Sequence, residues 1–206
     1  MRISCKICRR LGRSVCGREK CAFRRKPYPP GVHGRSRIRG RGRGGSTEYG
    51  GQLREKQKLK FLYGLREAQF KNYVRQAERA KGQAGPELLK ILETRLDSIV
   101  FRLGFAGSRS AARQFVTHGH VMVNGRRVSF PSFRVKNGDT VKIRPQSSGK
   151  GMFRDLELYL KKYNPPPWLA LDRENREGKL LGQVDAADPS LPADINLSAI
   201  VEFYSR

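Results

Sequence analysis

The sequence predicts an α+β fold, and three observations carry that prediction. Apolar residues recur at helical 3- and 4-residue steps between Leu53 and Leu103, the period switches to alternation around Asn124-Gly125, and four cysteines crowd into the first 21 residues. The expected architecture is an N-terminal knuckle and helical domain, followed by helices on a small antiparallel sheet.

Cys5, Cys8, Cys16 and Cys21 are spaced C-x2-C-x7-C-x4-C. The first pair puts two thiolates within reach of one ion, and the second pair can close a tetrahedron around it, the chemistry of one structural Zn(2+). In a reducing cytosol clustered cysteines serve as ligands or free thiols rather than disulfides, so free thiols or an oxidised cluster are the alternatives to a zinc knuckle over residues 1–26. Arg9, Arg10, Arg13, Arg18, Lys20, Arg24, Arg25 and Lys26 flank the cysteines, favouring the thiolate form and leaving cations to face phosphate. His33 is the weaker ligand candidate, because four cysteines already fill a tetrahedron.

The charge is large and uneven. With 43 Lys and Arg against 18 Asp and Glu, the formal net charge is +25. Residues 1–45 hold 15 basic side chains and one acidic, whereas residues 151–206 hold seven and nine. Self-repulsion of this size calls for a polyanionic partner, and the last quarter of the chain is not built to hold one. No run reaches the roughly 18 apolar residues of a membrane helix, and the first ten residues lack the apolar stretch of a secretion signal, so a protein working inside the cell is expected.

Pro27-Tyr28-Pro29-Pro30-Gly31 reads as an extended connector. Residues 34–45, GRSRIRGRGRGG, have almost nothing to bury and read as a basic arm that orders on RNA through Arg35, Arg37, Arg39, Arg41 and Arg43. Leu53, Leu59 and Leu62 mark a first helix after Ser46; Phe70, Tyr73, Val74 and Ala77 mark a second, ending at Gly82. Pro86 opens a third, whose stripe Leu89, Leu92, Leu96, Ile99, Val100 and Leu103 runs to Gly104. Ser108 caps a short helix through His118, with Gly119 at its end. On that helix Arg109, Arg113 and Thr117 share one face, while Ala111, Ala112 and Phe115 point to the packing side. Val121–Val128 is a hairpin turned by Asn124-Gly125, and further strands are expected at Thr140–Arg144, Trp168–Leu171, Lys179–Val184 and Ile200–Tyr204. Trp168, Phe203 and Tyr204 are read as packing anchors.

The order RLD, RLGFA, SRSAARQ, HGH, VNGRRV and VKNGD between residues 95 and 139 resembles the S4 RNA-binding domain. The stretches RRKPYPPGVHG, LREKQKLKFLYGL, EAQFKNYVRQA and the terminal VEFYSR extend the likeness to nearly the whole chain, which resembles the bacterial ribosomal S4 family in its four-cysteine form. The loop between Cys8 and Cys16 is shorter than is usual there, and the Arg/Gly run longer. The resemblance implies three segments: residues 1–91, an N-terminal domain with knuckle and arm; 92–155, the S4-type domain; and 156–206, packing back on both. It implies 16S ribosomal RNA and neighbouring small-subunit proteins as partners, nucleation of small-subunit assembly, and an influence on decoding accuracy. Some members repress their own messenger, which adds messenger RNA. Implied RNA contacts are the arm, Arg54, Lys56, Lys58, Ser108, Arg109, Arg113, Gln114, His118, His120, Asn124, Arg126 and Arg127; no membrane, small-molecule substrate or catalytic residue is implied.

Two other classes compete. An RNA-modifying or tRNA-related enzyme would carry an S4-type domain as an appendage, but needs a second domain with a positioned base or nucleophile; residues 1–91 offer only cysteines, a basic linker and basic helices. A DNA-binding zinc protein needs a recognition helix after its metal site, where this chain has Pro- and Gly-rich sequence.

Overall fold

The structure is a computed structural model describing residues 3–35, 47–149, 151–153, 156–184, 188–192 and 194–205. In chain order its elements are α1 (Cys5–Leu11), α2 (Ala22–Arg25), a 3-10 turn (Val32–Gly34), α3 (Glu48–Leu62), α4 (Glu67–Glu78), α5 (Ala84–Glu93), α6 (Leu96–Arg102) and α7 (Arg109–Thr117). There follow β1 (Val121–Val123), β2 (Arg126–Arg127), β3 (Thr140–Ile143), α8 (Pro145–Ser148), a 3-10 turn (Gly151–Phe153), α9 (Leu156–Lys162), β4 (Leu169–Asp172), β5 (Glu177–Leu180) and α10 (Leu197–Ser205). The chain forms two compact units, Met1–Leu88 with Pro192–Arg206, and Leu89–Leu191.

In the first unit α3 starts where the Thr47 hydroxyl accepts from the Gly50 N–H at 3.2 Å, an N-cap that satisfies one orphan donor of the first turn. α4 buries Phe70, Val74 and Ala77, the i, i+4, i+7 stripe of a one-sided helix. Packed on both is α10, with Ile200 fully enclosed and the rings of Tyr49 and Phe203 5.4 Å apart, those of Phe70 and Tyr204 6.1 Å apart. This corrects the strand expected at Ile200–Tyr204. The apolar residues of that run sit at helical steps, and Asn196 Oδ1 accepts from the Ala199 N–H at 3.1 Å to start a helix.

The second unit is a five-stranded antiparallel sheet in the order β2-β1-β3-β5-β4, with helices against it. The Asn124-Gly125 turn has both residues at positive φ, 48° and 77°, the geometry that matches strand twist in a two-residue hairpin. Gly178 on β5 lies under the Leu103 side chain, where any Cβ would collide. The core joins Leu96, Ile99, Val100 and Leu103 of α6 and its end to Ala112 and Val116 of α7 and to Val121, Val123, Val141 and Ile143 of the sheet.

The single helix expected from Pro86 to Gly104 is two. Arg95 is extended (φ −68°, ψ 142°) and bridges Arg134. The Val135 N–H donates to the Thr94 carbonyl at 3.0 Å and the Leu96 N–H to the Phe133 carbonyl at 2.9 Å. Backbone groups that would continue the helix are thus taken by the segment after the hairpin, while Arg95 and Asp97 close a buried bidentate pair (2.9 and 2.7 Å) at the start of α6. The second helix ends at Glu78, and Trp168 is a buried anchor whose indole N–H donates to Asp188 at 2.9 Å.

Candidate nucleic-acid interface and metal knuckle

Cys5 and Cys8 lie one turn apart on α1, which Gly12 ends at φ 69°; Cys21 precedes the first residue of α2. The sulfurs of Cys5, Cys16 and Cys21 lie within 4.8 Å of one another. Cys8 is fully buried in the same cluster with Val15, Cys16 and Cys21, against which Ile7, Leu11, Phe23 and Phe61 pack. Burial pushes the Cys8 thiol up to about 12, with Cys16 and Cys21 adding to the rise. At Cys21 burial pulls upward too, but hydrogen bonds from Ser14, the Phe23 backbone and the neighbouring cysteines bring it down to about 7. A tetrahedral zinc with bonds of about 2.3 Å wants four sulfurs roughly 3.8 Å apart. Three sulfurs meet that spacing closely and the fourth adjoins two of them, so the donor set can hold a metal ion. Arg9 ties α1 to the connector, donating to the carbonyls of Tyr28 (2.9 Å) and Pro29 (3.1 Å) with its guanidinium over the Tyr28 ring. His33 is exposed in the 3-10 turn.

In the second unit the Ser108 hydroxyl caps α7, accepting from the Ala111 N–H at 3.2 Å. Gln114 and His118 are exposed, Arg113 half-buried, and Arg126 and Arg127 exposed on the edge strand β2. Arg127 and Arg144 border a shallow depression of about 390 Å³ with Met122, Gly125, Pro145 and Gln146. These cations form one solvent-facing basic surface across helix and hairpin.

Several residues expected there do other work. Arg109 donates to Glu93 Oε1 at 2.9 Å and lies 4.6 Å from the Phe101 ring centre. Fully buried Glu93 also takes both arms of Arg102, at 2.6 and 3.0 Å. His120 is enclosed, its Nδ1 3.0 Å from the Ser147 hydroxyl and its ring edge-on to Phe153, so it is a core histidine. The Asn124 amide is spent on the fold: it donates to Asp139 at 2.8 Å and accepts from the Thr140 N–H at 2.9 Å.

The first unit repeats the pattern. Lys56 is only 6% exposed, donates to Glu67 at 2.6 Å and faces the Phe203 ring at 4.4 Å, so it is a packing residue. Lys58 pairs with Glu55 at 2.7 Å, and Arg54 is half-buried. Burial alone would raise Glu67, but hydrogen bonds from Lys56, Lys60 and Tyr204 hold it down to about 2. The same contact, with burial, pushes the Tyr204 phenol up. Arg35 is exposed beside Tyr28, 5.2 Å from its ring centre, whereas Arg37, Arg39, Arg41 and Arg43 lie outside the described residues. Glu93 and Arg102 were not singled out in the sequence. Their signal is an acid inside an apolar stripe, since charged side chains are rarely buried unless paired.

A helical unit beside a cationic helix-and-hairpin unit defines an RNA-binding protein of the ribosomal class. Residues 2–93 match the family described as Ribosomal protein S4/S9 N-terminal domain, and residues 94–141 the S4 domain. The chain is 45% identical to small ribosomal subunit protein uS4 of Halothermothrix orenii, covering 98% of this chain and 96% of that one. It is 44% identical to uS4 of Thermus thermophilus over the same shares, and 43% identical to uS4A of Clostridium novyi over 98% and 97%. The chain belongs to the uS4 family of small ribosomal subunit proteins, a family of ribosomal constituents and not of enzymes.

Proposed function

We propose that this chain is a structural constituent of the small ribosomal subunit in the cytoplasm, binding 16S ribosomal RNA directly, nucleating assembly of the subunit body and contributing to translational accuracy. The observation that carries it is identity sustained over 98% of the chain and 96% of a uS4 relative, so both units and the regions flanking them are retained together. The unequal charge supports it: phosphate neutralisation is the natural use of a +25 chain. Neighbouring small-subunit proteins are the second partner class, and messenger RNA a third on the same family reading.

Within this function, Arg113, Gln114, His118, Arg126 and Arg127 are the RNA contacts of the S4-type domain, joined by Arg35, Arg54 and the arginines of the arm. Ser108, Arg109, His120 and Asn124 hold that surface in shape, as Lys56 and Lys58 do for the first unit. Residues 1–91, 92–155 and 156–206 divide the work as N-terminal binding domain, S4-type domain and packing segment. Cys5, Cys8, Cys16 and Cys21 hold one zinc ion, which supplies cross-linking of a segment too small for its own core. The test is sedimentation of cell extract: the chain should travel with small subunits at moderate salt. A chain found mostly free would favour an enzyme that carries an S4-type appendage.

A further inference from the structure

Basic side chains of the first unit fall into two groups. Those on α3 are neutralised within the fold, Lys56 and Lys60 on Glu67 and Lys58 on Glu55. On α4 the reverse holds. Burial of Phe70, Val74 and Ala77 turns Asn72, Arg75, Gln76 and Arg79 outward at i, i+3, i+4 and i+7, and all four are exposed. Among the described residues, neither Arg75 nor Arg79 has a carboxylate within ion-pair distance. Tyr73 is half-buried beside them, its hydroxyl accepting from Gln69 Nε2 at 3.2 Å, which fixes the polar end of the ring. These five side chains line a depression of about 410 Å³.

We infer that this face of α4 is a second RNA contact, separate from the helix and hairpin of the S4-type domain, and that it takes a phosphate-linked segment with one unstacked base. Each part of the lining has a matching part in that ligand. Two guanidiniums offer paired hydrogen bonds to phosphate. Asn72 and Gln76 carry the donor-and-acceptor amides that read a base edge, and Tyr73 presents an aromatic surface to a base. An acidic peptide would match the arginines but leave the amides and the ring without a role. The inference rests on the 16S RNA-binding reading and names where, in the first unit, that binding occurs.

The experiment is binding of the full chain to 16S RNA across a salt series. It compares wild type, the Arg75→Ala/Arg79→Ala double variant and a control double variant, Lys161→Ala/Lys162→Ala, which removes two exposed charges elsewhere. The α4 variant should melt as wild type does, bind about tenfold or more weakly at moderate salt, and lose roughly one to two units from the slope of log affinity against log salt. The control should retain both. Unchanged binding by the α4 variant, or an equal loss in the control, would overturn the inference while leaving the 16S reading intact. Failure of wild type to bind would overturn both.

Discussion

Arg109 donates to the buried carboxylate of Glu93 across 16 residues, at 2.9 Å. Helix α7 is therefore anchored at its first residue to the end of α5, and its solvent-facing charge begins one turn later, at Arg113. The two arginines share a helix face and differ in function, one holding the helix and the other available to a partner.

Arg109→Ala should cost about 1–3 kcal/mol of stability, since Glu93 keeps its bonds to Arg102. Glu93→Ala should cost about 3–5 kcal/mol, because it leaves two guanidiniums facing each other without their counter-charge. Arg113→Ala should stay within about 0.5 kcal/mol of wild type and weaken RNA binding instead. Urea unfolding of the three variants checks this, and equal destabilisation by Arg109→Ala and Arg113→Ala would contradict it.

The acid limb of stability should depend on Glu67. Its carboxyl sits at about 2 in the folded chain, below the ordinary 4.5. A depressed carboxylate contributes stability that is fully present above its unfolded value and is lost as pH falls toward the folded one. Its side chain is 47% exposed, so solvent screening keeps the contribution modest. Glu67→Gln should flatten the loss of stability between about pH 4.5 and pH 2, measured by unfolding at each pH. An acid limb as steep as wild type would argue against this pairing.

The hairpin was legible in the sequence because Asn-Gly dictates its own turn, and the cysteine cluster because its spacing is local. The break at Thr94–Arg95 was not, since the apolar stripe from Leu89 to Leu103 continues through it and the interruption comes from backbone bonds to residues 133–135. Ile200–Tyr204 read as a strand because a short β-branched and aromatic run is ambiguous; a cap at Asn196 and packing on α3 and α4 decide for helix. Charge showed which segments meet RNA, but not which cations the fold consumes. Lys56 meets Glu67 across 11 positions and Arg109 meets Glu93 across 16, distances that only tertiary structure closes.

Asn124 should matter to stability rather than to RNA affinity. Asn124→Ala removes the bonds to Asp139 and Thr140 and places a Cβ-bearing residue without a side-chain amide at φ 48°. A loss of about 1–3 kcal/mol is expected. Asn124→Gly relieves the backbone and should recover part of it. Both are read by thermal melting, and an unchanged melting temperature for Asn124→Ala would show that the turn does not need the amide.

Metal analysis of protein purified without chelator should find one zinc per chain, lost on replacing Cys5, Cys16 or Cys21 with Ser and reduced for Cys8→Ser. Chelation should open residues 3–26 to hydrogen exchange and spare the strands of the second unit, which have their own apolar core. Metal-free protein with four freely alkylating thiols would refute the knuckle.

The most direct test of the account is binding of the purified chain to protein-free 16S RNA between about 50 and 200 mM monovalent salt. A primary ribosomal RNA binder carrying this charge should form a one-to-one complex without other ribosomal proteins. Its log affinity should fall linearly and steeply with log salt. A flat salt response, or binding that appears only when other small-subunit proteins are added, would contradict it.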